Sequence, residues 1–283
     1  AFHDRDGIGC AIRVLPRAIP SPEKIGFPSD DVWKDLVGLD SGLVIVTGVT
    51  GSGKSTTIAS LLSFINRHRS VRMLTLEDPV EYVLKSDRAL ISQREVGRHV
   101  GSFSDGLRSA LREDPDVIFV GEMRDRETVQ LALTAAETGH LVFSTLHTRD
   151  TRGAITRIID LFPSDRAKEL ATQLSFSLSA VISQKLVARA KGGGQRPAME
   201  VLKNISAIAH QIRSMNLHQL YSVMQTHQKD GLNTLENHLE ELVAKGEINL
   251  EEALRHANDP TAVGEELPPL DASSPDDWTY SFS

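Results

Sequence analysis

The stretch GVTGSGKST, residues 48–56, constrains this chain more than any other. It fits the pattern G-x-x-x-x-G-K-[ST]. It follows the apolar run LVIVT (43–47) and precedes a segment with helical spacing from about Ser55 to His68. Strand, glycine-rich turn and helix in that order make a cradle for an anion. Glycines let the backbone curl until successive N–H groups point inward at phosphate oxygens. The following helix directs its positive end at the same place. Lys54 reaches toward the β- and γ-phosphates and Ser55 toward magnesium. Gly48, Thr50, Gly51, Ser52, Gly53, Lys54, Ser55 and Thr56 are therefore the candidate phosphate-binding residues, for ATP with Mg2+.

The surrounding pattern suits such a loop. VRMLTLE (71–77), VIFV (117–120) and LVFSTL (141–146) read as further strands. Helical stripes lie between them. Leu107, Ala110 and Leu111 share one face, with Ser104 as the expected N-cap. Val129, Leu133 and Ala136 share another, ended by Gly139 in the left-handed conformation. Apolar strands alternating with helices imply an α/β fold with a parallel sheet covered on both faces. After residue 150 the pattern turns mainly helical. Asp150 and Ser164 are expected N-caps, and Asn249 with Glu252 resembles a capping box. Leu235, Leu239, Leu242 and Val243 form a further helical face. VISQKLVAR and RPAMEVL pair as strands around the KGGGQ turn.

Three segments are expected. Residues 1–20 are the end of an amino-terminal domain plus a proline-punctuated linker, in which IGCAIRVL (8–15) reads as a short strand. Residues 21–258 form the main domain with its helical carboxy-terminal part. Residues 259–283, acidic and without Lys or Arg, read as a mostly disordered tail. Ala1 opens in mid-pattern, as in a chain begun inside a longer sequence. The net charge of −7 provides no global basic field for nucleic acid or an anionic membrane, and no basic and aromatic patch stands out. Cys10 is the only cysteine, so an intrachain disulfide and a cysteine-based zinc site are both excluded. No apolar run approaches membrane-spanning length. A cytosolic compartment fits these features.

Two acidic stretches and two histidines are candidates for chemistry. In VIFVGEMRD a buried strand ends in Gly121 and then Glu122. Ligands in parallel sheets sit outside the carboxyl ends of the strands. If VIFV lies beside LVIVT, Glu122 faces the magnesium and γ-phosphate and fixes the metal, directly or through water; the plainer possibility is a surface glutamate opening a loop. LEDPVE places Glu77, Asp78 and Glu81 at the same edge. Hydrolysis needs a group that orients water and accepts its proton, and Glu77 is nearest the strand end. Solvated turn acids before Pro79 are the alternative. His140 and His147 bracket LVFSTL at opposite ends, so His147 shares the active edge and His140 does not. Either also suits a satisfied structural histidine.

Taken together, GVTGSGKST, TLEDPVEYV, DPDVIFVGEMRD and TGHLVFSTLHT resemble the Walker A, aspartate-box, Walker B and histidine-box motifs of the secretion ATPase superfamily, and most closely its type IV pilus retraction ATPases. The resemblance covers about residues 8–257. It implies a RecA-like P-loop NTPase core preceded by a PAS-like domain, of which only the end is expected here. It implies a homo-hexamer with ATP between the domains, working on an inner-membrane platform protein from the cytoplasmic side to retract a pilus in twitching motility. By position, Lys54 and Ser55 bind phosphate and magnesium, Glu77 is the catalytic base and Glu122 the Walker B glutamate. His147, and His140 less directly, belong to the histidine box. Arg13 corresponds to an arginine reaching a nucleotide. Ala209, His210 and Gln211 stand where the family's retraction-associated motif carries Arg, Asn and Leu. A pilus-assembly or type II secretion ATPase is the nearest alternative, but those enzymes typically carry a four-cysteine zinc module absent here. A ring subunit that binds ATP with little hydrolysis is the other.

Overall fold

The computed structural model describes residues 2–5, 7–10 and 18–264. Two short strands open the chain, β1 (Phe2–Asp4) and β2 (Gly7–Gly9), paired antiparallel. Only the start of the expected strand 8–15 falls within the described residues, and Arg13 lies outside them. Helices α1 (Pro22–Ile25) and α2 (Asp30–Gly38) lead to β3 (Gly42–Thr47) and α3 (Lys54–His68). Strands β4 (Arg72–Glu77) and β5 (Leu90–Glu95) follow, then α4 (Phe103–Ala110), β6 (Val117–Val120), α5 (Arg126–Glu137) and β7 (Leu141–Leu146). Beyond them come α6 (Thr151–Asp160), α7 (Ala167–Ser177), the hairpin β8 (Leu178–Ala188) and β9 (Gln195–Lys203), and α8 (Ser206–Arg213). Helices α9 (Leu220–Thr226), α10 (Leu235–Ala244) and α11 (Leu250–His256) complete the order.

Seven strands form one sheet in the order β5-β4-β6-β7-β3-β8-β9. All neighbours are parallel except β8 and β9. VIFV is thus not beside LVIVT, because β7 lies between them; the expected adjacency is corrected. Pro197 sits on β9, the outer strand, where its missing N–H is tolerated.

Successive side chains of each strand point to opposite faces. Leu43, Ile45, Leu74, Leu76, Ile118, Val120 and Val142 pack under α4 to α8 on one face. Val44, Val46, Met73, Val117, Phe119 and Phe143 meet Trp33, Leu36, Ile58, Leu61 and Ile65 of α2 and α3 on the other. Burial on both faces explains why these strands are apolar throughout. A smaller core joins Val187 and Ala198 of the hairpin to Leu235, Leu239 and Leu242 of α10.

Local expectations fared unevenly. Gly139 has φ +103 and follows α5 as anticipated. Asp150 caps α6, its carboxylate accepting from the Gly153 N–H. Helix α4, however, is capped by Ser102 rather than Ser104: the Ser102 hydroxyl accepts from Asp105 N at 3.1 Å, so the helix already begins at Phe103. Ser164 caps nothing, because a turn from Pro163 to Arg166 intervenes before α7. Asn249 precedes α11 without a side-chain bond, and Glu252 pairs with His256 instead. The strand β5 was not anticipated, since LISQRE is polar and half-buried.

Candidate active site

The loop between β3 and α3 turns through three left-handed glycines, Gly48 (φ +146), Gly51 (φ +81) and Gly53 (φ +88). Its opening is pinned to the end of β7: Thr47 Oγ1 accepts from Thr148 N at 2.9 Å. Lys54 folds back over the loop, its ammonium donating to the Gly48 and Val49 carbonyls at 2.9 and 3.2 Å. It is buried, and desolvation lowers its pKa while Glu122 and Glu81 oppose that shift.

A cleft of about 500 Å³ lies over this loop at the carboxyl edge of the sheet. Thr50, Gly51, Gly53, Lys54, Ser55 and Thr56 line it, together with Glu77, Glu122 and His147. The Thr56 hydroxyl also meets Tyr82 OH at 2.9 Å. Gly48 and Ser52 are buried behind the loop. His140 stays at the opposite edge, hydrogen-bonded through Nδ1 to the Ala135 carbonyl at 3.0 Å.

His147 stands between the loop lysine and Glu122. Its Nδ1 is 3.4 Å from Lys54 Nζ, and its Nε2 is 3.5 Å from Glu122 Oε2. The neutral tautomer with its proton on Nε2 suits both neighbours, since an ammonium only donates and a carboxylate only accepts. Arg124 Nε reaches the same Glu122 oxygen at 2.7 Å. Glu122 is placed by Gly121, whose absent Cβ would lie 3.1 Å from the Leu76 carbonyl oxygen. The same Leu76 oxygen accepts the Gly121 N–H at 2.7 Å, so β4 passes close enough that a side chain here would be tight.

Glu77 ends β4 and is buried. It accepts from Thr75 Oγ1 at 2.6 Å and Gln93 Nε2 at 3.0 Å. Burial raises its pKa, and the two hydrogen bonds moderate the rise. Gln93 also bonds the Tyr82 carbonyl, so the overlooked strand β5 holds the LEDPVE turn in place.

The chemistry of this donor set suits a nucleotide with magnesium. Loop amides and a buried lysine match phosphate. Ser55 and Glu122 supply oxygen donors on one cleft, as a hard cation requires. Among the described residues no cluster of three or more His, Cys, Asp or Glu is arranged to hold a metal alone.

Arg124, Gln93 and, on β8, Gln184 join the site without having been anticipated from the sequence. Arg124 stands two residues after Glu122 and was legible in GEMRD as a charge beside the glutamate. The other two reach the site only through strand pairing, which spacing along the chain does not reveal.

Residues 11–231 match the family described as Type II/IV secretion system protein. The type IV pilus retraction ATPase PilT of Pseudomonas aeruginosa is 46% identical over 92% of this chain and 75% of its own length. YggR of Escherichia coli, described as uncharacterised, is 48% identical over 88% of this chain and 75% of its own. The crystal structure of the pilus retraction motor PilT with bound ADP aligns with a TM-score of 0.82 at 48% identity, covering 89% of this chain and 71% of that one. With its loop, its acids and its histidine assembled on one cleft, this chain belongs to the type II/IV secretion system protein family, in its branch of type IV pilus retraction ATPases.

Proposed function

We propose that this chain is a subunit of a hexameric motor that hydrolyses ATP to power type IV pilus retraction. The observation that carries the reading is the convergence of Lys54, His147, Glu122 and Glu77 on one cleft above a glycine-rich loop. Loop amides and Lys54 bind and orient the phosphates. Ser55 and Glu122 would hold Mg2+, which supplies charge neutralisation at the terminal phosphates. Glu77 orients the attacking water and accepts its proton. His147 links the lysine to the glutamate, so a change at the γ-phosphate reaches both. Arg13 serves as a further cation at the nucleotide.

The motor acts at the cytoplasmic face of the inner membrane, on a platform protein; among the described residues no helix is long and apolar enough to cross a membrane. Closure of one domain on its neighbour with ATP, and reopening after hydrolysis, would turn that partner and withdraw pilin. Phosphate release by purified protein tests the chemistry. Wild type should exceed Lys54→Ala and Glu122→Ala by orders of magnitude, and equal rates would leave only a binding subunit. Complementation of a retraction-deficient deletion strain tests the output: Glu122→Ala should fail to restore retraction.

A further inference from the structure

We infer that Gln184, outside every nucleotide-binding motif of this chain, is a positioning residue that holds the phosphate loop in its binding shape. The inference rests on the reading of residues 48–56 as the nucleotide cradle.

Gln184 lies on β8, the strand beside β3, and is 1% exposed. Its Oε1 accepts from Thr57 Oγ1 on α3 at 2.9 Å, and its Nε2 donates to the Ser52 carbonyl. One amide therefore ties the loop to the helix that follows it. The same residue closes the space behind both glycines that the motif specifies. A Cβ at Gly48 would fall 2.4 Å from the Gln184 carbonyl oxygen, and a Cβ at Gly53 would fall 2.9 Å from its Nε2.

The Ser52 bond has a directional consequence. In a planar trans peptide the C=O and the next N–H point opposite ways. Holding the Ser52 carbonyl against β8 aims the Gly53 N–H away from β8, toward the cleft that Gly53 lines. A loop that presents its amides inward must turn carbonyls outward, and a buried carbonyl needs a donor. Gln184 is that donor. Without it the 52–53 peptide is free to rotate, and the cradle loses an aligned amide before any phosphate arrives.

Gln184→Met tests the idea, because it keeps length and volume while removing both hydrogen bonds. ADP affinity is measured on protein whose circular dichroism matches wild type. The dissociation constant should rise about tenfold or more, the scale expected for losing an aligned buried hydrogen bond. KM for ATP should rise in step, with far less change in kcat, since Glu77 and Glu122 are untouched. Thr57→Val, which frees the other end of the amide, should weaken ADP binding by less. The double variant should bind no worse than Gln184→Met alone, because both changes break one linkage. Wild-type ADP affinity in Gln184→Met overturns the inference. If that variant does not fold, Thr57→Val decides: weakened binding supports the role and unchanged binding overturns it. Lys54→Ala separates the two levels. If it too binds ADP like wild type, the reading of the loop as the cradle fails. If it alone binds weakly, only the role of Gln184 fails.

Discussion

At the scale of single residues, the site works through contrast between environments. Glu122 sits between a guanidinium and an imidazole, whereas Glu77 is buried beside two neutral donors. Burial raises the Glu77 pKa because desolvation disfavours its charged form. As the general base proposed above, Glu77 must be ionised to act. The acid limb of the kcat profile should therefore lie above the ordinary glutamate range, with activity falling as pH drops through it. Glu77→Gln should remove that limb and lower kcat by about 10²–10⁴-fold while ADP binding persists. A variant with wild-type turnover would assign the proton transfer elsewhere. Glu77 was legible from its place at a strand end. Gln93, which holds its carboxylate from β5, was not, because polar residues in a half-buried strand resemble any solvated turn. Thr75 was legible as a strand residue but not as a partner, because alternation along a buried strand does not show which hydroxyl turns to which carboxylate.

At the scale of elements, strand ends and helix starts decide where these side chains sit. Gly121 faces the close passage of β4, so the methyl of Gly121→Ala presses on the Leu76 carbonyl, which must shift by a few tenths of an ångström. This overpacking should destabilise the fold by about 1–3 kcal/mol. It should also lower kcat more than ADP affinity, since it displaces Glu122 and leaves the loop intact. Steady-state kinetics beside a denaturant titration check both. Helix α6 begins shortly after His147, and its cap is the Asp150 carboxylate. Asp150→Ala should cost about 1 kcal/mol in the same titration. Asp150 was legible as a cap from its position alone. Ser102, Ser164 and Asn249 show the limit of that signal: several polar residues precede each helix, and the tertiary path of the incoming chain selects which one caps.

At the scale of the whole molecule, the carboxy-terminal part is fastened by buried acids rather than by apolar contacts alone. Glu236 accepts from the Asn258 and Asp259 amides at 2.8 and 3.1 Å, and Glu240 accepts from Gly264 N at 2.6 Å. Residues 259–264, expected to belong to a disordered tail, are therefore held against α10, and Val263 joins its core. Glu200 receives the Thr151 N–H at 2.8 Å, and burial pushes its pKa up to about 7. A raised carboxylate makes the folded state bind more protons than the unfolded one, so its stabilisation is full at acid pH and is lost as pH rises toward about 7. His238 behaves oppositely. Burial pushes its pKa down to about 3, and its ring accepts the Met199 N–H at 2.9 Å. Its stabilisation is full above the unfolded value near 6.5 and is lost as pH falls toward about 3. Glu200→Gln should thus gain stability relative to wild type as pH goes from about 5 to 8, by a few kcal/mol at most. Denaturant midpoints across that range check it, and a difference independent of pH would refute it.

The linear order of residues determined the cradle, the alternation of strand and helix, and which acids stand at strand ends. These follow from neighbours along the chain: glycines set the curl, and apolar runs set the strands. Only the tertiary structure decided that β7 separates β3 from β6, that His147 joins Lys54 to Glu122, and that Gln184 backs the loop. Those contacts join residues far apart in sequence. Their partners are chosen by which strands pair and which faces are buried, and no local spacing encodes that choice.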